Sequence, residues 1–274
     1  RTVTPPARMT WPADDTRTYD PTLWLDPRGV LWLIYNQGSR VTGEHGIFAR
    51  CCENPDAPSP AWSRPRRLGY DVPFCARMNK PTVLTTGEWL MPVTWSTDDP
   101  HVWWTSNNRQ GVGISTDHGE SWELCGAVDA PAWALENMIV ECRDGSLAMY
   151  IRTGSGVIWM SDSQDRGRTW SPEYASEIPN PGSRFHIRAL PSGRWLLLNN
   201  AASAARTGIT AQLSEDDGKT WSAPLVLEDR EQVSYPDAAL SPDGTLYAVH
   251  DRERHGAAEV LLSVFREADI IAAR

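Results

Sequence analysis

Arg152 ends an apolar run in LAMYIRTGSG, and Arg206 lies in the loop after the comparable run in LLLNNAASAARTGITAQLS. A guanidinium is a planar fork of donors that can grip a carboxylate through two parallel hydrogen bonds. Set beside Glu136 and Tyr235, these two arginines would make a receptor for a carboxylate-bearing ligand. Other polar side chains stand at the mouths of similar apolar segments: Asp20 in TYDPTLW, Asn79 and Lys80 in MNKPTV, Arg184 and His186 in SRFHIRAL, and Asp237 in SYPDAAL. One such residue alone is usually a solvated loop group. A set at equivalent positions implies a site where several strands converge, with Lys80 placed to read an acidic or hydroxylated ligand. His186, of a type with a reference pKa of about 6.5, fits either a general acid/base or a hydrogen-bonded structural histidine.

The elements that would gather these residues repeat along the chain. LWLDPRGVLWLIY, TVLTTGEWLMPV, IVECRDGSLAMYI, IRALPSGRWLLLN and AALSPDGTLYAVH each place a glycine turn between two strand-forming runs, the pattern of a β-hairpin. The turn glycines, Gly29, Gly87, Gly145, Gly193 and Gly244, are spaced 58, 58, 48 and 51 residues apart. Nine residues before them stand Asp20, Met78, Glu136, Arg184 and Tyr235. A second motif travels with the hairpins: STDHGESW, SQDRGRTW and SEDDGKTW, with a degenerate version ending at Trp62. In such turns Ser and Asp side chains bond their own backbone, glycine supplies a positive φ, and the tryptophan can be buried beside a neighbouring unit. The motif is expected to be structural, far from the inner strands.

A repeat of about 50 residues built of four short strands is the signature of a β-propeller blade. The expected fold is all-β, a propeller of four-stranded blades in a single domain over residues 1–274. Five blades are visible, or six if an upstream blade lies outside this chain. The last unit supplies three strands, and RTVTPPARMTW resembles the outer-strand segments WSRPRRL and WSAPLVL, so it is a candidate to complete that blade.

Composition narrows the partners. A net charge of −9 argues against nucleic acid, which demands a basic surface. No apolar run is long enough to span a membrane, and the first residues lack the apolar core of a signal peptide. The five cysteines form no CxxC pair, and HDRERH (His250–His255) lacks the HExxH order. No cofactor or metal is expected. Asp251 and Arg252 of that segment are candidates to line the axis.

The three Ser-x-Asp-x-Gly-x-Thr/Ser-Trp turns resemble the Asp-box (BNR) repeats of the sialidase superfamily. ENMIVECRDGSLAMYIRT is similar to the sialidase segment that carries a catalytic glutamate and, sixteen residues later, an arginine of the carboxylate-binding triad; Glu136 and Arg152 have that separation. The segments around Arg206 and Tyr235 resemble those bearing the next triad arginine and the nucleophilic tyrosine. The resemblance covers roughly residues 19 to 270 and is most specific from about 130 onward.

That resemblance implies an exo-acting glycoside hydrolase removing a terminal acidic sugar, sialic acid or a related 2-keto or uronic acid. Sialidases use tyrosine where most retaining glycosidases use a carboxylate. A sugar carboxylate at the anomeric carbon would repel an anionic nucleophile, whereas a phenol, with a reference pKa of about 10, is neutral at pH 7. Glu136 would accept its proton as attack proceeds. The resemblance implies Arg152 and Arg206 as binding residues, and Arg184, His186, Lys80, Asp20 and Asp237 join the candidate binding set by their positions at the strand mouths. The Arg-Ile-Pro segment of the family, which supplies the first triad arginine, has no match in this sequence, nor has the aspartic acid that follows it. Asp98 and Asp99 in TWSTDDPHVWW are candidate substitutes for that acid, with Trp103 and Trp104 as sugar-stacking candidates. A carbohydrate-binding propeller without turnover, or a polysaccharide lyase using Tyr235 or His186 as base, are the competing readings, since a fold does not fix a function.

Overall fold

The computed structural model describes residues 9, 16–39, 45–69, 74–96, 108–130 and 132–273. They form twenty strands and one short helix, Glu267–Ala272. The strands fall into five antiparallel sheets in chain order, residues 16–68, 74–128, 134–179, 186–231 and 233–265, which we number blades 1 to 5. Each blade begins at its innermost strand and steps outward. Blades 1, 3 and 4 have four strands, blade 2 adds the two-residue strand Thr82–Val83, and blade 5 has three described strands. The architecture is the expected five-bladed propeller. Of the residues proposed to complete blade 5 only Met9 is described, and its carbonyl accepts from Arg50 of blade 1.

Blade stacking explains why the strands are apolar throughout instead of alternating. In the second strand of blade 3, Leu147, Met149 and Ile151 pack towards blade 2 with Leu90, Val112 and Ile114. The intervening Ala148 and Tyr150 pack towards blade 4 with Ile187, Trp195 and Leu197. Both faces of a middle blade are therefore core, as in other sheets covered on both sides. Blades 1 and 2 meet through tryptophans, with Trp24 edge-on to Trp89 at 4.8 Å between ring centroids and Trp32 edge-on to the same ring at 6.0 Å. The outer flank of blade 5 instead leaves Val249, Val260, Leu262 and Val264 exposed, and blade 1 leaves Leu23 and Leu25 exposed.

The two repeated turns fold as their residue types dictate. All five hairpin glycines have φ between 81° and 101°, a region costly for residues with a Cβ. In each Ser-x-Asp turn the serine Oγ accepts from the glycine N–H, at 2.8 Å for Ser115, 2.9 Å for Ser163 and 2.8 Å for Ser214. The aspartate accepts from the backbone N–H four residues on. Trp122 and Trp170 donate their indole N–H to the turn glycine's carbonyl. Trp221, in the third copy, has its indole nitrogen buried without a hydrogen-bond partner. All three turns join third to fourth strands, at the rim, away from the axis.

Candidate active site

The inner strands of blades 1, 3 and 5 share one backbone break. Their pairing register slips between Tyr19 and Thr22, Leu135 and Met138, and Ser234 and Asp237. Within each slip one residue adopts the left-handed conformation: Asp20 at φ 52°, Glu136 at 53° and Tyr235 at 58°. Such a bulge re-aims one side chain out of the ladder, and holding a non-glycine residue there costs roughly 1–2 kcal/mol. Pro21 and Pro236 follow two of these residues, and proline has no N–H to lose from the ladder. Blade 3 has Asn137 instead. Its amide donates to Val93 O at 3.2 Å and Gln110 Oε1 at 3.2 Å, while Glu136 N donates to Thr94 Oγ1 at 3.0 Å. These bonds tie the Glu136 bulge to blade 2.

Glu136 and Tyr235 meet at Arg152. Its Nη1 donates to Glu136 Oε2 at 2.5 Å and to the Tyr235 hydroxyl at 3.0 Å. The Arg152 and Glu136 side chains are each 3% exposed. Burial alone would lower the basicity of Arg152, but the Glu136 charge and the interactions with Glu136 and Tyr235 together outweigh it and raise the guanidinium above its ordinary value. Arg206 stands on the other side of a shared support: Gly182 O accepts from Arg152 Nε at 2.9 Å and from Arg206 Nη2 at 3.0 Å. Among the described residues the hydrogen-bond partners of Arg206 are neutral: Gly182 O, the Tyr235 hydroxyl and, more weakly, Ser234 Oγ at 3.5 Å. Burial pushes its pKa down. Three guanidinium carbons, of Arg152, Arg206 and Arg254, lie 5.3, 5.3 and 4.2 Å from the centroid of the half-buried Tyr235 ring.

A second network lies two residues further along the inner strand of blade 5. Asp237 accepts from Lys80 Nζ at 2.8 Å and sits 2.9 Å from His186 Nδ1. Burial would raise the Asp237 carboxyl, yet His186 and Lys80 together hold it well below the usual carboxylate range. Burial lowers the pKa of both His186 and Lys80 against the pull of Asp237, so His186 favours its neutral form. Arg184 donates to Asn79 Oδ1 at 2.5 Å and reaches Thr22 Oγ1 at 3.4 Å, which links blade 4 to blades 2 and 1.

The structure thus brings Glu136, Arg152, Arg206 and Tyr235 into one cluster and Lys80, His186 and Asp237 into a second, with Arg184 joined to Asn79. Asp20 accepts from Asn36 Nδ2 at 3.3 Å inside its own blade. Asp251 joins the first cluster by accepting from Ser234 Oγ at 2.7 Å, whereas Arg252 turns to Glu253 and Glu259, and Arg254 takes the place over Tyr235. Asp98, Asp99, Trp103 and Trp104 lie outside the described residues. Sequence reasoning missed Arg254, Ser234, Gly182 and the Thr94–Gln110–Asn137 brace. A left-handed Glu136 gives no sequence signal, although the prolines after Asp20 and Tyr235 hint at broken ladders. Among the described residues no group of three or more His, Cys, Asp or Glu is arranged to hold a metal ion.

The sequence profile of the BNR repeat-like domain matches residues 2–248. The chain belongs to that family. A sialidase of Micromonospora viridifaciens is 33% identical over 149 residues, covering 50% of this chain and 23% of the relative. An anhydrosialidase of Macrobdella decora is 43% identical over 167 residues, covering 54% of this chain and 22% of the relative. This member of the family therefore spans less than a quarter of the length of either curated relative through the matched region. Among solved structures, the Hadza microbial sialidase Hz136 superposes with a TM-score of 0.76 at 17% identity, over 92% of this chain and 53% of that one. At that identity the likeness establishes the propeller fold. Among the described residues no helix is long and apolar enough to cross a membrane.

Proposed function

We propose that the cluster around Tyr235 is a sialidase-type active site that releases a terminal acidic sugar, sialic acid or a related 2-keto or uronic acid, from a glycoside. The observation that carries this reading is the charge pattern. Arg152 is matched by Glu136, while Arg206, its half-buried neighbour on the same carbonyl, has only neutral hydrogen-bond partners among the described residues. A buried cation is stabilised by an anion, and the carboxylate of an acidic sugar supplies one at the position facing Tyr235.

The sugar carboxylate binds Arg206 and competes with Glu136 for Arg152, which frees a Glu136 oxygen. Tyr235 attacks the anomeric carbon, its proton passes to Glu136, and the glycosidic C–O bond breaks with its electron pair leaving on the aglycone oxygen. Water then attacks the anomeric carbon, and the bond from that carbon to the Tyr235 oxygen breaks with its electron pair on the phenolate. The protonated Glu136 returns its proton to that oxygen, and the proton lost by the water passes to solvent. Aryl glycosides need no protonation of their leaving group, so they report this chemistry directly.

The test is turnover of fluorogenic aryl glycosides of sialic and glucuronic acids by the wild type and by Tyr235→Phe. Release of the fluorophore by the wild type, reduced at least about a hundredfold in Tyr235→Phe, is expected. No turnover of any acidic glycoside by the wild type overturns the reading. An unsaturated, ultraviolet-absorbing product would replace it with the lyase.

A further inference from the structure

The HDRERH segment ends the second strand of blade 5, and its fifth residue does not leave the site. Arg254 Cζ lies 4.2 Å from the Tyr235 ring centroid, nearer than Arg152 or Arg206. Its Nε donates to Asp251 Oδ2 at 2.8 Å, and its Nη2 reaches Ser234 Oγ at 3.4 Å. That hydroxyl is also approached by Arg206 Nη1 at 3.5 Å, and it donates to Asp251 Oδ1 at 2.7 Å. Asp251 and Ser234 thereby set two guanidinium tips side by side. A surface Asp–Arg pair three residues apart ordinarily contributes little and orients nothing. This one differs because its aspartate is also bonded across the sheet to the residue preceding Tyr235, so the arginine is held over the phenol ring.

Among the described residues, the cluster around Tyr235 holds three guanidinium groups, of Arg152, Arg206 and Arg254, against two carboxylates, of Glu136 and Asp251. Arg254 keeps 42% of its side chain in solvent, so it is open to a ligand in a way that the enclosed Arg152 is not. From these observations we infer that Arg254 is a substrate-binding residue, which with Arg206 forms a two-guanidinium clamp for the sugar carboxylate. The inference rests on the glycosidase reading above. It assigns this chain a carboxylate anchor from blade 5, in a sequence where the Arg-Ile-Pro segment has no counterpart. Asp251 and Ser234 are positioning residues, acting through the arginines.

Two measurements test it. The first is calorimetric binding of sialic and glucuronic acids, each as free acid and as methyl ester, to wild type, Arg254→Met, Arg254→Lys and Arg206→Met. The second is the split of aryl-glycoside turnover into KM and kcat. Arg254→Met should weaken the free acid at least about tenfold, as expected for a lost hydrogen bond between charged groups. It should leave the weaker methyl-ester binding unchanged, and raise KM while kcat stays within about threefold. Arg254→Lys should recover part of the affinity but not the full bidentate grip. An unshifted melting temperature in Arg254→Met shows that the loss is local. If Arg206→Met abolishes acid binding and Arg254→Met does not change it, the clamp is wrong and the glycosidase reading stands. If the wild type neither binds nor turns over any of these acids, both fall together.

Discussion

Blade 1 and blade 3 open their inner strands with the same device and use it differently. Asp20 and Glu136 are both acids in a left-handed bulge, at φ 52° and 53°. The Glu136 carboxylate faces a buried arginine delivered by the adjacent strand and is braced by blade 2, whereas Asp20 bonds Asn36 within its own sheet. The backbone break thus recurs in blades 1, 3 and 5, and its surroundings differ. In blade 3 the strand beside the bulge carries the guanidinium that Glu136 meets.

The largest expected effect tests that contrast. Glu136→Ala strands the enclosed Arg152 charge and should cost about 3 kcal/mol of stability, whereas Asp20→Ala should cost about 1 kcal/mol or less. Urea unfolding of the two variants decides the matter, and equal losses would erase the difference between the blades. Next comes the second network. Asp237→Asn leaves the Lys80 ammonium, 7% exposed, without its carboxylate. The expected loss is about 2 kcal/mol, below that of a fully enclosed pair because 35% of the Asp237 side chain meets solvent. A smaller effect belongs to the rim. Ser163→Ala removes one buried acceptor from a Ser-x-Asp turn and should cost about 1 kcal/mol without changing turnover. A loss of turnover there would show that rim and axis are coupled.

The smallest effect is one of pH. His186 and His250 are buried, and burial lowers both pKa values. In the unfolded chain these histidines take up protons near pH 6.5. The folded state resists, so the unfolded state binds more protons and stability falls as pH drops below about 6.5. Among the described residues neither buried ring nitrogen of His250 makes a close hydrogen bond, although Nε2 lies 3.8 Å from Glu228 Oε2, whose charge partly offsets the effect of burial. His250→Leu should therefore flatten part of the decline in melting temperature between about pH 6.5 and 5. A slope unchanged from wild type would assign the whole effect elsewhere.

The hairpin glycines and Ser-x-Asp turns were legible in the sequence because single residue types meet a stereochemical demand: positive φ at Gly145, backbone capping by Ser163 and Asp165. The meeting of Glu136 with Arg152 followed from strand pairing, since antiparallel neighbours in one hairpin end at the same mouth. What the sequence concealed is contact between blades. Gly182 is an ordinary loop residue until its carbonyl is seen between two arginines, and Arg254 looked like a solvated charge in a charge-rich turn. Arg252 was the better guess by position, and the closure of the loop onto Glu253 and Glu259 reversed the two.

The Gly182 carbonyl is one oxygen serving two cations. Its residue lies at φ 67°, and a methyl group placed there would come within 3.1 Å of the Trp133 ring. Any rotation of that peptide moves Arg152 and Arg206 at once, the first placed on the phenol and the second on the ligand under the proposed function. On that proposal the interblade loop cannot retune affinity while sparing reactivity: drift at this position would alter both properties in a single step, and a change that adjusts only one of them would have to arise elsewhere.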